Sequence, residues 1–238
     1  MIERMREKWE GTMTDRERFN RQMHYRPVDR CFNMEMGWWE ENYTNWPMFR
    51  ENGITNREEA KRFCGLDQYA YIAQWDKVWM WPRFEEKVIE DRGRTLIMQN
   101  WEGLLAEVPK DGHSTIAHFI HSPVETPEDW EQMKREHFQV DHPGRTVDIA
   151  ALKEKYPDDR DWPLGIFVGS MIGKVRDLLT VNGLAYACVD YPEMVEDMVE
   201  TCCQLSEYYM DQVLPHFHFD YALTWEDICC NNVPLVSL

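Results

Sequence analysis

The sequence predicts an α/β protein built on about four parallel strands, as in a partial TIM (β/α)₈-type barrel. Apolar segments of strand length lie near 31–36, 68–75, 163–169 and 221–226, with long helical stretches between them. Connections of that length join parallel strands and are right-handed. The segment at 163–169 is apolar throughout, which is typical of a strand buried on both faces.

A second β region interrupts this alternation at about 84–110. Two β-prone stretches flank Asp91-Arg92-Gly93, which is typical of a tight turn, and Lys110-Asp111-Gly112 has the same composition. We therefore expect an antiparallel β-meander inserted into one incomplete domain that spans 1–238.

Capping patterns mark where several helices begin. Thr14-Asp15-Arg16-Glu17 has the composition of a capping box, and Asn56 can cap a second helix. Thr126-Pro127-Glu128-Asp129 combines a cap, a proline and two acids at the positive end of a helix dipole. Pro192 opens the longest predicted helix, which carries one apolar stripe.

Four strands do not close a barrel, and the printed sequence stops directly after the last predicted strand. We therefore expect a half-barrel that lacks its C-terminal strands. Its outer strand edges would be open to self-association.

Composition excludes several classes of partner. The chain has 43 acidic and 26 basic residues and a net charge of −17, which disfavours nucleic acid and anionic membrane surfaces. The longest apolar run, 163–173, is about half of the roughly 20 residues that a membrane span needs. The first eleven residues lack the apolar core of a secretory signal, and the seven cysteines have no framework spacing, so we expect a cytoplasmic protein.

The carboxyl ends of the predicted strands carry the candidate site, because ligands bind there in parallel β/α folds. The predicted catalytic acids or bases are Asp76, Glu226 and Asp227, since neighbouring carboxylates perturb each other's pKa. Helix capping is an alternative role for the last two. The predicted substrate-binding residues are Glu35, Trp38, Trp39, Gln74, Ser170 and Trp225.

No metal site is predicted. His216 and His218 supply only two ligands, and the adjacent cysteine pairs do not match metal-ligand spacing. The tryptophans of 75–81 can line the mouth of a site or pack in the core.

The order of several short motifs resembles that of uroporphyrinogen decarboxylase-like proteins. Thr14-Asp15-Arg16-Glu17-Arg18-Phe19, followed by Arg26-Pro27-Val28-Asp29-Arg30, resembles the opening of that family. The resemblance covers nearly the whole chain and continues through Gly65-Leu66-Asp67, 111–130, Arg176-Asp177-Leu178, Asp190-Tyr191-Pro192-Glu193, Trp225-Glu226-Asp227 and 232–235.

The resemblance implies a (β/α)₈ barrel and one of two chemistries. One is the cofactor-free decarboxylation of uroporphyrinogen. The other is methyl transfer involving methylcobamide, with zinc held by a His-x-Cys pair and a distant cysteine. No cofactor is visible in this chain, and zinc or cobamide is expected only through the missing C-terminal half.

This sequence departs from the decarboxylases where they bind substrate. Their Arg-Gln-Ala-Gly-Arg segment supplies arginines for the carboxylates of the tetrapyrrole, and Glu35 and Trp39 take those places here. Asp76 lies near the family's important aspartate, and Asp227 replaces its serine. Each charge-assisted hydrogen bond lost costs about 1.5–3 kcal/mol.

Three functions are therefore expected. The first is a divergent decarboxylase-like lyase acting on a tetrapyrrole or other organic acid. The second is a corrinoid-dependent methyltransferase, in which Trp38, Trp39 and Trp75 help to surround an uncharged methyl donor. The third is an inactive half-barrel fragment. Under the first two hypotheses, the partner of the protein is a small-molecule ligand.

Overall fold

The computed structural model describes residues 4–111, 117–229 and 234. In chain order, these residues form α1 (Asp15–Met23), α2 (Glu40–Asn45), α3 (Pro47–Glu51), α4 (Arg57–Cys64), β1 (Ala70–Ile72), α5 (Trp75–Val78), β2 (Lys87–Asp91), β3 (Thr95–Gln99), β4 (Leu105–Pro109), β5 (His118–His121), α6 (Pro127–His137), α7 (Ile149–Lys155), β6 (Leu164–Phe167), α8 (Ile172–Asp190), α9 (Pro192–Val213) and β7 (Tyr221–Leu223). Short 3₁₀ helices lie at Pro143–Arg145 and Leu214–His216.

The parallel sheet contains three strands in the order β1-β6-β7. Tyr71 pairs with Gly165, and Phe167 pairs with Leu223. The central strand β6 is buried at all four positions, as its apolar sequence predicts. The prediction of parallel strands joined by long helical connections is therefore confirmed for three segments.

The predicted first strand at 31–36 is wrong, because this segment forms no β-ladder. The side chain of Asp67 accepts the backbone N–H of Asn33 at 2.8 Å, and the backbone N–H of Asp67 donates to the Asn33 carbonyl at 2.8 Å. The Tyr69 hydroxyl donates to the carbonyl of Glu35. One backbone bond and two bonds to side chains thus take the place of the repeated backbone pairing that a strand requires. The described residues contain no closed barrel.

The predicted strand at 68–75 is shorter than expected. It ends at Ile72, and a helical turn follows from Trp75. The backbone N–H of Lys77 donates to the Gln74 carbonyl at 2.9 Å, which starts that turn. Asp76 therefore lies on a short helix rather than at the tip of a strand.

The antiparallel meander is confirmed, and it is larger than predicted. Its four strands lie in the order β2-β3-β4-β5, so the last strand extends the sheet beyond 84–110. Asp91 accepts the N–H of Gly93 at 2.8 Å in the first predicted turn. Gly112 of the second predicted turn lies outside the described residues.

Three predicted helix caps are confirmed. The Thr14 side chain accepts the N–H of Glu17, and the Asn56 side chain accepts the N–H of Glu59. Thr126 and Asp129 form a complete capping box at the start of α6. A kink divides α8 into two helical parts at Thr180, whose dihedral angles, φ 66° and ψ 164°, are non-helical.

The apolar stripe of α9 packs in two places. Its first half contacts α8 and the buried rings of Trp79 and Trp130. Its second half, with Tyr209 and Val213, covers the outer face of the parallel sheet. Among the described residues, no helix combines the length and apolar character that crossing a membrane requires.

A buried ion network joins the N-terminal segment to the loop before β1. Arg18 is fully buried and donates to Asp29 at 2.8 Å and to Asp15 at 2.7 Å. Asp67 accepts from Lys8 at 2.6 Å and from Arg30 at 2.6 Å. These bonds hold α1 against the amino end of the parallel sheet.

This network predicts acid sensitivity. Burial alone would raise the pKa of Asp67, but hydrogen bonds from Arg30 and Lys8 outweigh it and lower the pKa to about 2. Because the pKa is depressed in the folded state, its stabilisation is present above the ordinary value of 3.8 and is lost as pH falls from there through about 2. The free energy of unfolding falls on acidification, and we expect this fall to be about 1–2 kcal/mol smaller in Asp67→Asn than in the wild-type chain. Urea unfolding at a series of pH values measures it.

The matched control is Asp159→Asn, which changes an exposed acid. Its stability should follow that of the wild-type chain across the whole pH range. If the Asp67 variant shows the wild-type pH profile instead, the network does not stabilise the fold through this carboxylate.

Candidate functional site

One face of the parallel sheet forms the floor of an apolar cavity of about 300 Å³, which we call the aromatic cup. Side chains alternate between the two faces of a strand, so Tyr71, Phe167 and Leu223 share this face. The cup is lined by Met34, Met36, Tyr69, Tyr71, Ala73, Trp75, Phe167, Tyr221, Leu223 and Trp225.

The floor of the cup depends on a close approach across the sheet. The Tyr221 ring crosses the central strand at Gly165, where an added Cβ atom would lie 2.3 Å from the ring. The Tyr221 hydroxyl then donates to the Ala70 carbonyl of β1, the other outer strand, at 2.9 Å. Phe19 of α1 packs 5.1 Å from the Tyr221 ring, between centroids, and fills the space below it.

The upper wall of the cup is made of two tryptophans. Trp75 begins α5 and its ring centroid lies 4.2 Å from that of Phe167. Trp225 follows β7 and is 43% exposed, which places it at the rim. Both indoles therefore present ring surface to the cavity, and Trp225 also faces solvent.

None of the ten side chains that line the cup carries a charge. The predicted carboxylates are instead their chain neighbours. Glu35 lies between Met34 and Met36, Asp76 follows Trp75, and Glu226 follows Trp225. The cup is thus an uncharged aromatic cavity with acidic residues next to its wall.

Glu226 caps the N-terminus of α8. Its carboxylate accepts the backbone N–H groups of Met171 and Gly173 at 2.9 Å each, and the Thr224 hydroxyl at 2.8 Å. A side chain at Gly173 would collide with this loop, because its Cβ would lie 2.6 Å from the Glu226 carbonyl oxygen. Glu226 therefore has the alternative role, helix capping. The helix that it caps follows β6 and not β7.

The other two predicted catalytic acids are held differently. The Asp76 carboxylate lies 3.1 Å from the Lys77 ammonium. Asp227 has a positive φ of 44°, and its backbone carbonyl accepts from Arg176 at 2.6 Å. Asp227 therefore follows Glu226 through a turn that Arg176 stabilises.

The predicted substrate-binding polar residues take local roles. The Glu35 carboxylate accepts the N–H of Met36 at 2.8 Å. The Ser170 hydroxyl accepts the N–H of Lys174 at 3.0 Å, beside Glu226. The side-chain oxygen of Gln74 is buried and has no hydrogen-bond partner.

Trp38 and Trp39 do not line the cup. Trp38 packs against Phe49 with a centroid separation of 5.6 Å, in a cluster built on α2, α3 and α4. Trp39 is 63% exposed. Of the three tryptophans predicted as substrate-binding residues, the structure places only Trp225 in the cavity wall.

Sequence reasoning missed Arg145, which fixes the segment that carries Trp75. Its guanidinium group is fully buried, and within the described residues its hydrogen bonds go to backbone carbonyls. Burial lowers the pKa of Arg145 to about 10. It donates to the backbone carbonyls of Gln139, Asp76, Lys77, Trp79 and His137.

Sequence reasoning also missed the surroundings of Lys174. Its ammonium lies 5.2 Å from the Trp75 ring centroid, 5.9 Å from that of Trp79 and 5.5 Å from that of Trp101. Glu102 is buried and accepts from Lys174 at 2.9 Å. Two indoles of the 75–81 run and that of Trp101 therefore surround the Lys174 ammonium. The separation of these residues along the sequence does not reveal the pairing.

Within the described part of the chain, no group of three or more His, Cys, Asp or Glu side chains is placed to hold a metal ion. Comparison of the chain with protein-family models, with curated proteins and with solved structures found no match. The geometry of the cup is therefore the basis of the functional argument.

The bonds of Glu226 predict a structural effect of its substitution. Glu226→Gln keeps the length of the side chain but replaces one accepting oxygen by a donor, which cannot bind a backbone N–H. We expect the free energy of unfolding to fall by about 1–3 kcal/mol, measured by urea denaturation.

Asp227→Asn provides the control for this substitution. Asparagine tolerates a positive φ, so this neighbouring change should alter stability by less than about 0.5 kcal/mol. Equal stability of the two variants would show that the carboxylate of Glu226 does not hold α8.

Proposed function

We propose that this chain is a uroporphyrinogen decarboxylase-like protein of the corrinoid-linked methyltransferase branch, and that the aromatic cup is its methyl-donor site. The three parallel strands are then part of a (β/α)₈-type barrel whose ligand binds on the inner face. The observation that carries this proposal is that no charged side chain lines the cup.

A polyanionic tetrapyrrole fits this cavity poorly. Uroporphyrinogen carries several carboxylates, and burying each one without a cationic partner is costly. The arginines that bind these groups in the decarboxylases are replaced by Glu35 and Trp39. The net charge of −17 adds a repulsive field. Decarboxylation of uroporphyrinogen is therefore the weaker of the two family activities for this chain.

A small methylated molecule suits the same cavity. Protein sites for small ligands are mostly apolar and aromatic, and a volume of about 300 Å³ lies at the lower end of their usual range. Aromatic faces and the thioethers of Met34 and Met36 form favourable contacts with methyl groups. The cup therefore provides dispersion contacts on several sides of a compact ligand.

Methyl transfer in this superfamily uses zinc and a cobamide. The described residues do not fit a zinc site, because they contain no cluster of metal-ligating side chains. The cup accommodates a single small ligand rather than a corrin macrocycle. No step is therefore assigned to either group, and this chain contributes the binding and orientation of the methyl donor.

Two further proposals follow for the whole molecule. Free cysteines such as Cys31 and Cys64 support a reducing, cytoplasmic location. β7 is an outer strand of the parallel sheet, and the backbone groups along such an edge can pair with another chain, which supports self-association. Static light scattering on the purified chain should give a mass above that of the monomer, and a monomer at all concentrations would contradict self-association.

The proposed cup predicts selective binding. Isothermal titration calorimetry should show that anisole, a neutral methyl ether with one ring, binds, whereas uroporphyrin, which carries the carboxylates of the tetrapyrrole, does not. Ala73→Trp should weaken anisole binding at least tenfold, about 1.4 kcal/mol, because Ala73 lines the cup and the indole would fill it.

Ala222→Trp is the matched control, since it adds the same ring to an exposed alanine on the opposite face of the sheet. It should bind anisole like the wild-type chain. Tighter binding of uroporphyrin than of anisole would reject the methyltransferase branch in favour of a tetrapyrrole ligand.

A further inference from the structure

We propose that the aromatic cup selects a quaternary ammonium ligand, in which the methyl groups are carried by a permanently charged nitrogen. The inference rests on the proposed function, because it names the class of ligand that the same cavity binds. It goes beyond that function in assigning a charge to the ligand.

The first argument is the set of rings around the cavity. Tyr69, Tyr71, Trp75, Tyr221 and Trp225 all line it, together with one phenylalanine. The face of an aromatic ring carries negative potential, and a methylated ammonium held against several such faces gains about 2 kcal/mol where water is excluded. Several rings around one small cavity are the arrangement that proteins use to bind choline-like cations.

The second argument is what the cup lacks. No lining side chain is a carboxylate or an amide, so a protonated amine would find no charged acceptor for its N–H groups in the cup. The tyrosine oxygens of Tyr69, Tyr71 and Tyr221 are the acceptors that the lining side chains offer to such N–H groups. A fully methylated nitrogen has no N–H to satisfy, so the cup favours it over a primary or secondary amine.

The third argument comes from the wall that the cup shares with Lys174. Trp75 lines the cavity and also lies 5.2 Å from the Lys174 ammonium, measured to the ring centroid. An indole of the cup wall is thus already in contact with one cation in this structure. The charge of Lys174 is compensated by Glu102 at 2.9 Å and Asp177 at 3.5 Å. The charge of Lys174 is therefore balanced by neighbouring carboxylates and does not by itself repel a bound cation.

The fourth argument is the field of the protein. Glu35, Asp76 and Glu226 are chain neighbours of lining residues, and the whole chain carries a net charge of −17. Such a field raises the local concentration of cations and lowers that of anions, and added salt screens it. The affinity for a cationic ligand should therefore fall with ionic strength, whereas the affinity for a neutral ligand of the same shape should not.

The test compares choline with 3,3-dimethylbutan-1-ol, which has the same shape but a carbon atom in place of the charged nitrogen. Calorimetric titration of the full chain at low salt should give at least tenfold tighter binding of choline, about 1.4 kcal/mol. This difference should shrink when the titration is repeated at high salt.

Two tryptophan variants separate the cup from the general acidic field. Trp225→Leu removes an indole from the rim of the cavity and should reduce the choline preference several-fold. Trp9→Leu removes an exposed indole that does not line the cup and should leave the preference unchanged. Equal loss in both variants would show that the rings of the cup do not select the cation.

The outcomes distinguish the two proposals. Binding of the neutral alcohol as tight as that of choline would overturn the cation inference while the cup remains a small-molecule site. Failure of choline, the alcohol and anisole to bind the wild-type chain would reject the cup itself, and with it the proposed function. Circular dichroism of each variant confirms that a loss of binding is not a loss of fold.

Discussion

The cup exists because the central strand of the parallel sheet has no side chain at Gly165. The Tyr221 ring extends from the outer strand β7 across β6 at this position. Its hydroxyl then reaches the Ala70 carbonyl of β1, the other outer strand. One side chain thus connects all three parallel strands on their inner face. Phe19 supports the ring from below, so the position of α1 and the shape of the cavity depend on the same contact.

The aromatic cup is an apolar cavity with no charged side chain in its lining. The cationic side chains near the site are used to build its walls, since Arg145 binds backbone carbonyls and Lys174 pairs with Glu102. Glu226 likewise uses its carboxylate on the N-terminus of α8. A ligand of the proposed site would therefore meet ring faces and thioethers rather than ion pairs. Its selection would depend on dispersion, ring electrostatics and the long-range field.

Much of the local structure follows from the sequence because its causes are local. The capping box at Thr126 and Asp129 needs only residues three apart, and the apolar composition of β6 is enough to place it in the middle of a sheet. The segment at 31–36 was mispredicted because its pairing is decided by Asp67, whose carboxylate takes the N–H of Asn33. No pattern within 31–36 shows that a carboxylate outside this segment competes with strand pairing for the backbone N–H group.

The sequence by itself determined the alternation of helices and strands, the inserted meander and the acidic character of the chain, since these depend on composition and short spacings. Only the tertiary structure decided which residues form the site. Trp38 and Trp39 follow a predicted strand but pack elsewhere or face solvent, whereas Tyr71 and Phe167 meet in the cup from distant positions. The physical reason is that strand pairing brings together side chains whose separation along the chain carries no signal.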